Sequence, residues 1–297
     1  MVRVSWLARA YLWRTSLREI EAGAITGTVA ALCQQANFDL GEDVLAALEK
    51  AREAEDSPLA REALGQLLEN ARIARAERRP LCQDCGTAVV FLEIGQDVHI
   101  VGGDLRQAID DGVRRGYAEG YLRRSMVRQP FSTRTNTGDG TPAMVHPEIV
   151  PGDRLAIALM TKGGGAENMS RLVMLTPGDG REGVIRAVVE AADQAGGRPC
   201  PPMIIGLGIG GTAETAMLIA KRSLLRPVGI PSTDPETARL ERDLLVRVND
   251  LGIGPLGLGG RATALAVHAA SMPCHIASLP VAINFQCHSA RHKEAVL

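Results

Sequence analysis

Six cysteines carry the most concentrated chemistry in this 297-residue chain, at positions 33, 82, 85, 200, 274 and 287. Cys82 and Cys85 stand in "LCQDCGTAVV" with only Gln83 and Asp84 between them. Such a pair can be a redox dithiol or half of a zinc site. A zinc ribbon needs a second close pair, which the sequence lacks. A thioredoxin-type dithiol opens a helix, whereas a β-like run follows here. A ferredoxin-type string of close cysteines is also missing. The remaining thiols are dispersed: Cys82 comes just after Pro80, Cys200 precedes Pro201 and Pro202, and Cys287 sits in "CHSAR" behind an apolar run. Three thiols at three element junctions are either a metal site assembled by folding or small hydrophobes in a core.

Two glycine runs hold the other candidates. Gly206-x-Gly208-x-x-Gly211 fits the dinucleotide fingerprint between an expected strand and helix. The acidic residue due about twenty positions later falls near Asp234, which reads as a helix cap in "GIPSTDPET". Glycines for a tight turn and close packing explain the run equally well. In "TKGGGAENMS" Lys162 borders three glycines whose free N–H groups could hold an anion, although a flexible turn reads the same way.

These residues need elements to place them. Residues 39–53 and 58–78 read as helices, the second with Leu64, Leu67, Leu68 and Ala71 on one face. Residues 1–79 therefore form an expected helical N-terminal layer, ahead of a site-bearing region over 80–297. Strands are expected at 88–94, 98–102, 154–161, 202–211 and 276–285. Helices are expected at 104–126, 181–195, 213–223 and 235–250, the last capped by Asp234 with Pro235 in its first turn. The stretch 134–153 is too dense in turn formers for a long helix, and 251–260 is a glycine loop. The fold class is mixed α/β: a helical layer, then strands alternating with helices, with the candidate residues in loops at element ends.

Composition narrows the function classes. The chain is 45% hydrophobic and 23% charged, with net charge −1 and 3% aromatic residues. Neither a basic surface for nucleic acid nor stacking platforms for bases are indicated, and no apolar run is long enough for a bilayer. The first 18 residues carry Arg3, Arg9, Arg14, Arg18, Trp6 and Trp13, with no acid before Glu19. They read as a transit-like leader, a non-native start or a short interaction arm. No secretory pattern is present, so a cytoplasmic location with reduced thiols is expected.

Taken together and in order, "LCQDCGTA", "TNTGDGTPA", "TKGGGAENMS", "CPPMIIGLGIGGTAET", "NDLGIGPLGLGG" and "CHSAR" resemble the α subunit of two-subunit class I fumarases. This iron–sulfur hydro-lyase family also contains L-tartrate dehydratase. The resemblance runs from Pro80 to Arg291 and implies a [4Fe–4S] cluster held by Cys82, Cys200 and Cys287, with one iron free of cysteine. It implies Asp84 as an active-site acid, and Gln83, Arg123 and Gly165 as substrate contacts; Lys162, at the edge of the glycine run, is expected to bind the substrate with them. Arg124 leaves the register of Arg123 open by one. His288 and Arg291 border the third thiol and are expected to support it. Cys85 departs from the family, which commonly has Thr there, and reads as a near-isosteric replacement or a thiol that tunes the site. Cys33 and Cys274 match no ligand position and read as packing.

The implied reaction is reversible hydration of a small dicarboxylate, fumarate to L-malate first, with L-tartrate or a mesaconate-like acid as alternatives. The chain ends just past "CHSAR", so the resemblance implies a separate β subunit that completes the site, in a hetero-oligomer with two copies of each chain. The α chain alone is expected to be inactive. Readings of another class are a nucleotide-binding oxidoreductase built on "GLGIGG" and a non-catalytic assembly subunit.

Overall fold

The computed structural model describes residues 17–297. The tryptophans and all the leader-like arginines except Arg18 lie outside the described residues. The expected helical layer opens differently, with strand β1 (Arg18–Glu21), because Ile20 is buried by parallel pairing with a later strand. Helices α1 (Ala22–Phe38), α2 (Glu42–Ala54) and α3 (Pro58–Glu77) follow. In α3 the Ser57 hydroxyl accepts the Ala60 N–H at 3.3 Å, Pro58 occupies the first turn, and Leu64, Leu67, Ala71 and Ala74 form the buried face.

Next come β2 (Thr87–Gly95), β3 (Val98–Val101) and α4 (Leu105–Glu119). Asp104 caps α4, its carboxylate accepting the Gln107 N–H at 2.8 Å. The helix stops at Glu119 and does not reach 126, because Gly120 ends it and Tyr121 turns to a left-handed φ of 51°. The turn-rich stretch that follows yields β4 (Met144–Val150), then β5 (Leu155–Lys162), the one-turn α5 (Gly164–Glu167) and β6 (Arg171–Leu175). Helix α6 (Gly180–Ala195), β7 (Met203–Gly210), α7 (Ala213–Ser223) and α8 (Pro235–Asn249) lead to β8 (Ala264–Met272), β9 (Leu279–Gln286) and β10 (His292–Val296).

The strands form two mixed four-stranded sheets, β10-β5-β2-β4 and β6-β9-β7-β8, beside the β1-β3 ribbon. Helices α1 and α4 cover the first sheet, placing Ile25, Val29, Ile109 and Val113 against Val90, Leu92, Ile157 and Leu159. Helices α6 and α8 cover the second, with Val188, Leu244 and Val248 against Ile205, Leu207 and Ile283. A third core joins the two: Leu48 and Leu64 of the helical layer meet Val89, Phe91 and Met160 of one sheet and Ile204 and Ala266 of the other.

The fingerprint glycines serve this packing. Gly206 and Gly208 lie inside β7, where a Cβ would come within 2.2 Å of the Ala220 carbonyl oxygen and 2.0 Å of that of Ala216. Their missing side chains let α7 lie directly on the strand, the bland reading of "GLGIGG". Among the described residues no helix is long and apolar enough to cross a membrane.

Candidate active site

The first thiol sits on a turn pressed against the end of β5. Gly86, at φ +75°, would place a Cβ 2.8 Å from backbone atoms of Thr161 and Lys162, so only glycine lets residues 81–86 approach so closely. Within the turn the Asp84 N–H points at Cys82 Sγ (3.4 Å). Asp84 Oδ1 accepts the Gly86 N–H at 3.0 Å, an Asx turn, and Oδ2 accepts the Gly164 N–H at 2.7 Å. The turn-capping reading and the site reading of Asp84 thus describe two oxygens of one carboxylate. Gln83 is exposed next to it.

Cys200 lies between α6 and β7 at φ +56°, with its side chain exposed, and Cys287 follows β9 directly and is buried. The segment after Cys287 ties all three loops together. The His288 N–H donates to the Cys200 carbonyl at 3.3 Å, and ring Nδ1 lies 2.9 Å from the same oxygen. Because that partner is a carbonyl, Nδ1 carries the proton. The buried Arg291 guanidinium donates to the Asp84 carbonyl and, at 3.3 Å, to Asn37 Oδ1 of α1. The Arg291 carbonyl accepts the Thr161 N–H at 2.9 Å. Burial raises the Cys200 thiol, and its nearness to Cys287, Cys82 and Asp84 raises it further. All six cysteines are free. Among the described residues no group of three His, Cys, Asp or Glu side chains is gathered to hold a single metal ion.

The glycine turn after β5 is a short helix, and its first free N–H, that of Gly164, is taken by Asp84. Gly164 and Gly165 are exposed. Lys162 is placed differently from its expected position at the rim. It is 2% exposed, donates through Nζ to the Phe285 carbonyl, and lies 3.3 Å from Glu167 Oε2. The cause is burial under the turn, where a cation must be compensated. Burial lowers its pKa to about 8, with Glu167 opposing. Burial alone would raise the Glu167 carboxyl, but Lys162 and Lys221, the latter at 2.5 Å, hold it below its ordinary value.

Arg123 joins the site through its backbone: its N–H reaches Cys85 Sγ at 3.1 Å, while its side chain is exposed. The Arg124 guanidinium is engaged by the Gly138 carbonyl at 2.9 Å. Cys85 is buried, and its thiol points at the Cys82 carbonyl (3.7 Å). Cys33 is buried in the first core, matching its reading as packing, whereas Cys274 is exposed and does not pack. Three supporting residues carried no sequence signal: Asn37, Glu167 and Tyr117. The Tyr117 hydroxyl donates to the Gly86 carbonyl at 2.8 Å, with that of Cys85 at 3.1 Å. Tyr117 also belongs to the buried face of α4.

Comparison with known proteins spans nearly the whole chain. The fumarate hydratase (Fumerase) family profile matches residues 26–296. A Methanocaldococcus jannaschii protein provisionally named L(+)-tartrate dehydratase subunit alpha is 42% identical over 275 residues, covering 90% of this chain and 95% of the relative. The L(+)-tartrate dehydratase subunit alpha of Escherichia coli (strain K12) is 30% identical over 269 residues, covering 90% of this chain and 88% of its own length. The chain belongs to the fumarate hydratase family of hydro-lyases.

Proposed function

We propose that the chain is the α subunit of an iron–sulfur hydro-lyase that adds water reversibly across the double bond of a small dicarboxylate, with fumarate to L-malate as the first reading. The observation that carries it is the tying of the Cys82, Cys200 and Cys287 loops to one another and to Asp84 by His288 and Arg291. The donor set suits the cofactor, since three unpaired thiols are the ligands an iron–sulfur cluster takes. In this reading Cys82, Cys200 and Cys287 hold a [4Fe–4S] cluster, leaving one iron without a cysteine. When bound, the cluster supplies a Lewis acid for a substrate hydroxyl and carboxylate.

The remaining roles belong to the chain's own groups. Asp84 orients the reacting hydroxyl or holds its proton. Gln83 and the exposed N–H of Gly165 contact the substrate, and Arg123 grips its far carboxylate with paired hydrogen bonds. Lys162, being buried, acts from beneath: with Lys221 and Glu167 it fixes the glycine turn and adds positive potential behind it. A second subunit supplies the base and the rest of the pocket, and two copies of each chain assemble in the cytoplasm. Residues 80–297 form the site-bearing unit, on which the helical layer packs.

L-tartrate is the second reading, favoured by the names of the relatives. The test is anaerobic co-production of this chain with the second subunit of the same source, followed by parallel assays of fumarate hydration and L-tartrate dehydration. Higher kcat/KM on fumarate supports the first reading, and higher kcat/KM on L-tartrate replaces it with the second. Iron-loaded complex inert toward both would overturn the assignment.

A further inference from the structure

Residues 121–137 leave the end of α4 and fold back on themselves as an arm. The Arg128 N–H donates to the Thr135 carbonyl at 2.7 Å, the Thr137 N–H donates to the Met126 carbonyl at 2.9 Å, and Val127 and Asn136 form an antiparallel bridge. At the tip the Ser132 and Arg134 N–H groups both reach the Gln129 carbonyl, at 3.1 and 3.3 Å. The arm's foot touches the site through the Arg123 N–H on Cys85 Sγ and the Thr87 hydroxyl 3.3 Å from Met126 Sδ.

Three features of the arm are unexplained by this chain alone. Phe131 at the tip is 95% exposed and Tyr121 at the root 92%. Arg123, Arg124, Arg128 and Arg134 fall within residues 121–138, which contain no Asp or Glu, although the whole chain carries a net charge of −1. None of the four is in an ion pair among the described residues. Residues 1–16 offer no carboxylate side chain either. Gln129 and Arg134 also hold positive φ values of 41° and 51° without being glycine. Such conformations persist where function uses them.

We propose that this arm is the surface on which the second subunit docks, with Phe131 entering an apolar pocket and Arg128 and Arg134 meeting carboxylates on that subunit. Aromatic and arginine side chains are the types that dominate binding energy at interfaces. An unpaired basic arm on a mildly acidic chain selects an acidic partner surface. The proposal rests on the two-chain reading above. Docking there would also bring the partner to the edge of the Cys82 turn, where the missing half of the pocket is required.

The test uses the full-length chain and the second subunit of the same source, with affinity measured by titration at low and moderate salt. Phe131→Ser and the double variant Arg128→Glu/Arg134→Glu are compared with the unaltered chain, and thermal melting of each chain alone checks folding. The proposal expects melting temperatures to stay unchanged. It expects affinity to fall about tenfold or more for each variant, with salt dependence reduced in the charge-reversed one. Unchanged affinity overturns the arm as the docking surface and leaves the two-chain reading intact. Loss of self-association of this chain, with affinity for the second subunit retained, overturns it in favour of a second copy as occupant. If the unaltered chain does not bind the second subunit at all, the two-chain reading falls as well.

Discussion

Asp84 uses each carboxylate oxygen on a different backbone N–H, one inside its own turn and one across to Gly164. Asp84→Asn keeps an oxygen for Gly86 but turns an NH2 group toward the Gly164 N–H, so two donors face each other. The expected result in the two-chain enzyme is a fall in kcat of roughly 10²-fold or more, with iron content unchanged; equal kcat would remove Asp84 from the chemistry. Cys85 admits a complementary test. Its sulfur accepts the Arg123 N–H and points its proton at the Cys82 carbonyl, so it links the turn proposed to carry a cluster ligand to the loop carrying Arg123, the proposed carboxylate grip. Cys85→Thr can keep both contacts, whereas Cys85→Val strands a partly buried N–H at a cost of about 1–3 kcal/mol. KM should therefore rise more than kcat falls in the Val variant and recover in the Thr variant, with iron retained in both. Loss of iron in the Thr variant would instead make Cys85 part of the ligand set. At this scale the three thiols by themselves left a metal site and core packing both open, and it was the family resemblance, carried by the local motif around each thiol, that singled them out as candidate ligands. Asn37, Glu167 and the inward turn of Lys162 were not legible, because they are set by contacts between segments far apart in the chain.

Elements hold these residues in register, and the helical layer contributes through Glu55. This buried carboxylate, in the link between α2 and α3, accepts N–H groups from Asp56 (3.0 Å), Ser57 (3.1 Å) and, across the fold, Arg261 (2.8 Å). Arg261 ends the glycine loop in which the Leu256 N–H donates to the Pro201 carbonyl at 2.8 Å, one residue from Cys200. Glu55→Ala leaves three N–H groups without their acceptor and should cost about 2–4 kcal/mol by urea denaturation. It should also loosen the Cys200 loop, read as faster hydrogen exchange at residues 197–202 than at the Cys82 turn; a uniform change would deny the connection. Within the two four-stranded sheets legibility followed position in the sheet. The central strands β2, β5, β7 and β9 announced themselves as apolar runs, while β4, β6, β8 and β10, all at sheet edges, went unread. An edge strand is covered on fewer sides and needs no continuous apolar run. Thus β4 tolerates Pro147, and four of the nine residues of β8 are alanine.

Over the whole molecule the two sheets meet through a third core, and one buried histidine in that region gives the fold a pH dependence. His268, on β8, is 2% exposed and its Nδ1 has no partner among the described residues. Burial lowers its pKa from 6.5 to about 4, with Arg226 adding to the effect and Glu241 opposing it. For a base whose folded pKa is lowered, both states are neutral above about pH 6.5 and this group contributes no slope there. Between about 6.5 and about 4 the unfolded chain takes up the proton and the folded chain refuses it, so stability falls as pH falls. Below that window both states are charged and the loss levels off. The full shift corresponds to a loss on the order of 3 kcal/mol. Burial lowers His288 and His292 in the same direction, so they add to the slope. Urea midpoints of the full chain measured from pH 7.5 down to about 4 should therefore decline. His268→Asn should flatten part of that decline whatever its effect at neutral pH, because the slope reads proton uptake and not packing. A slope identical in the variant would mean that His268 takes up its proton over the same pH range in the folded and the unfolded chain, and that burial does not hold it neutral.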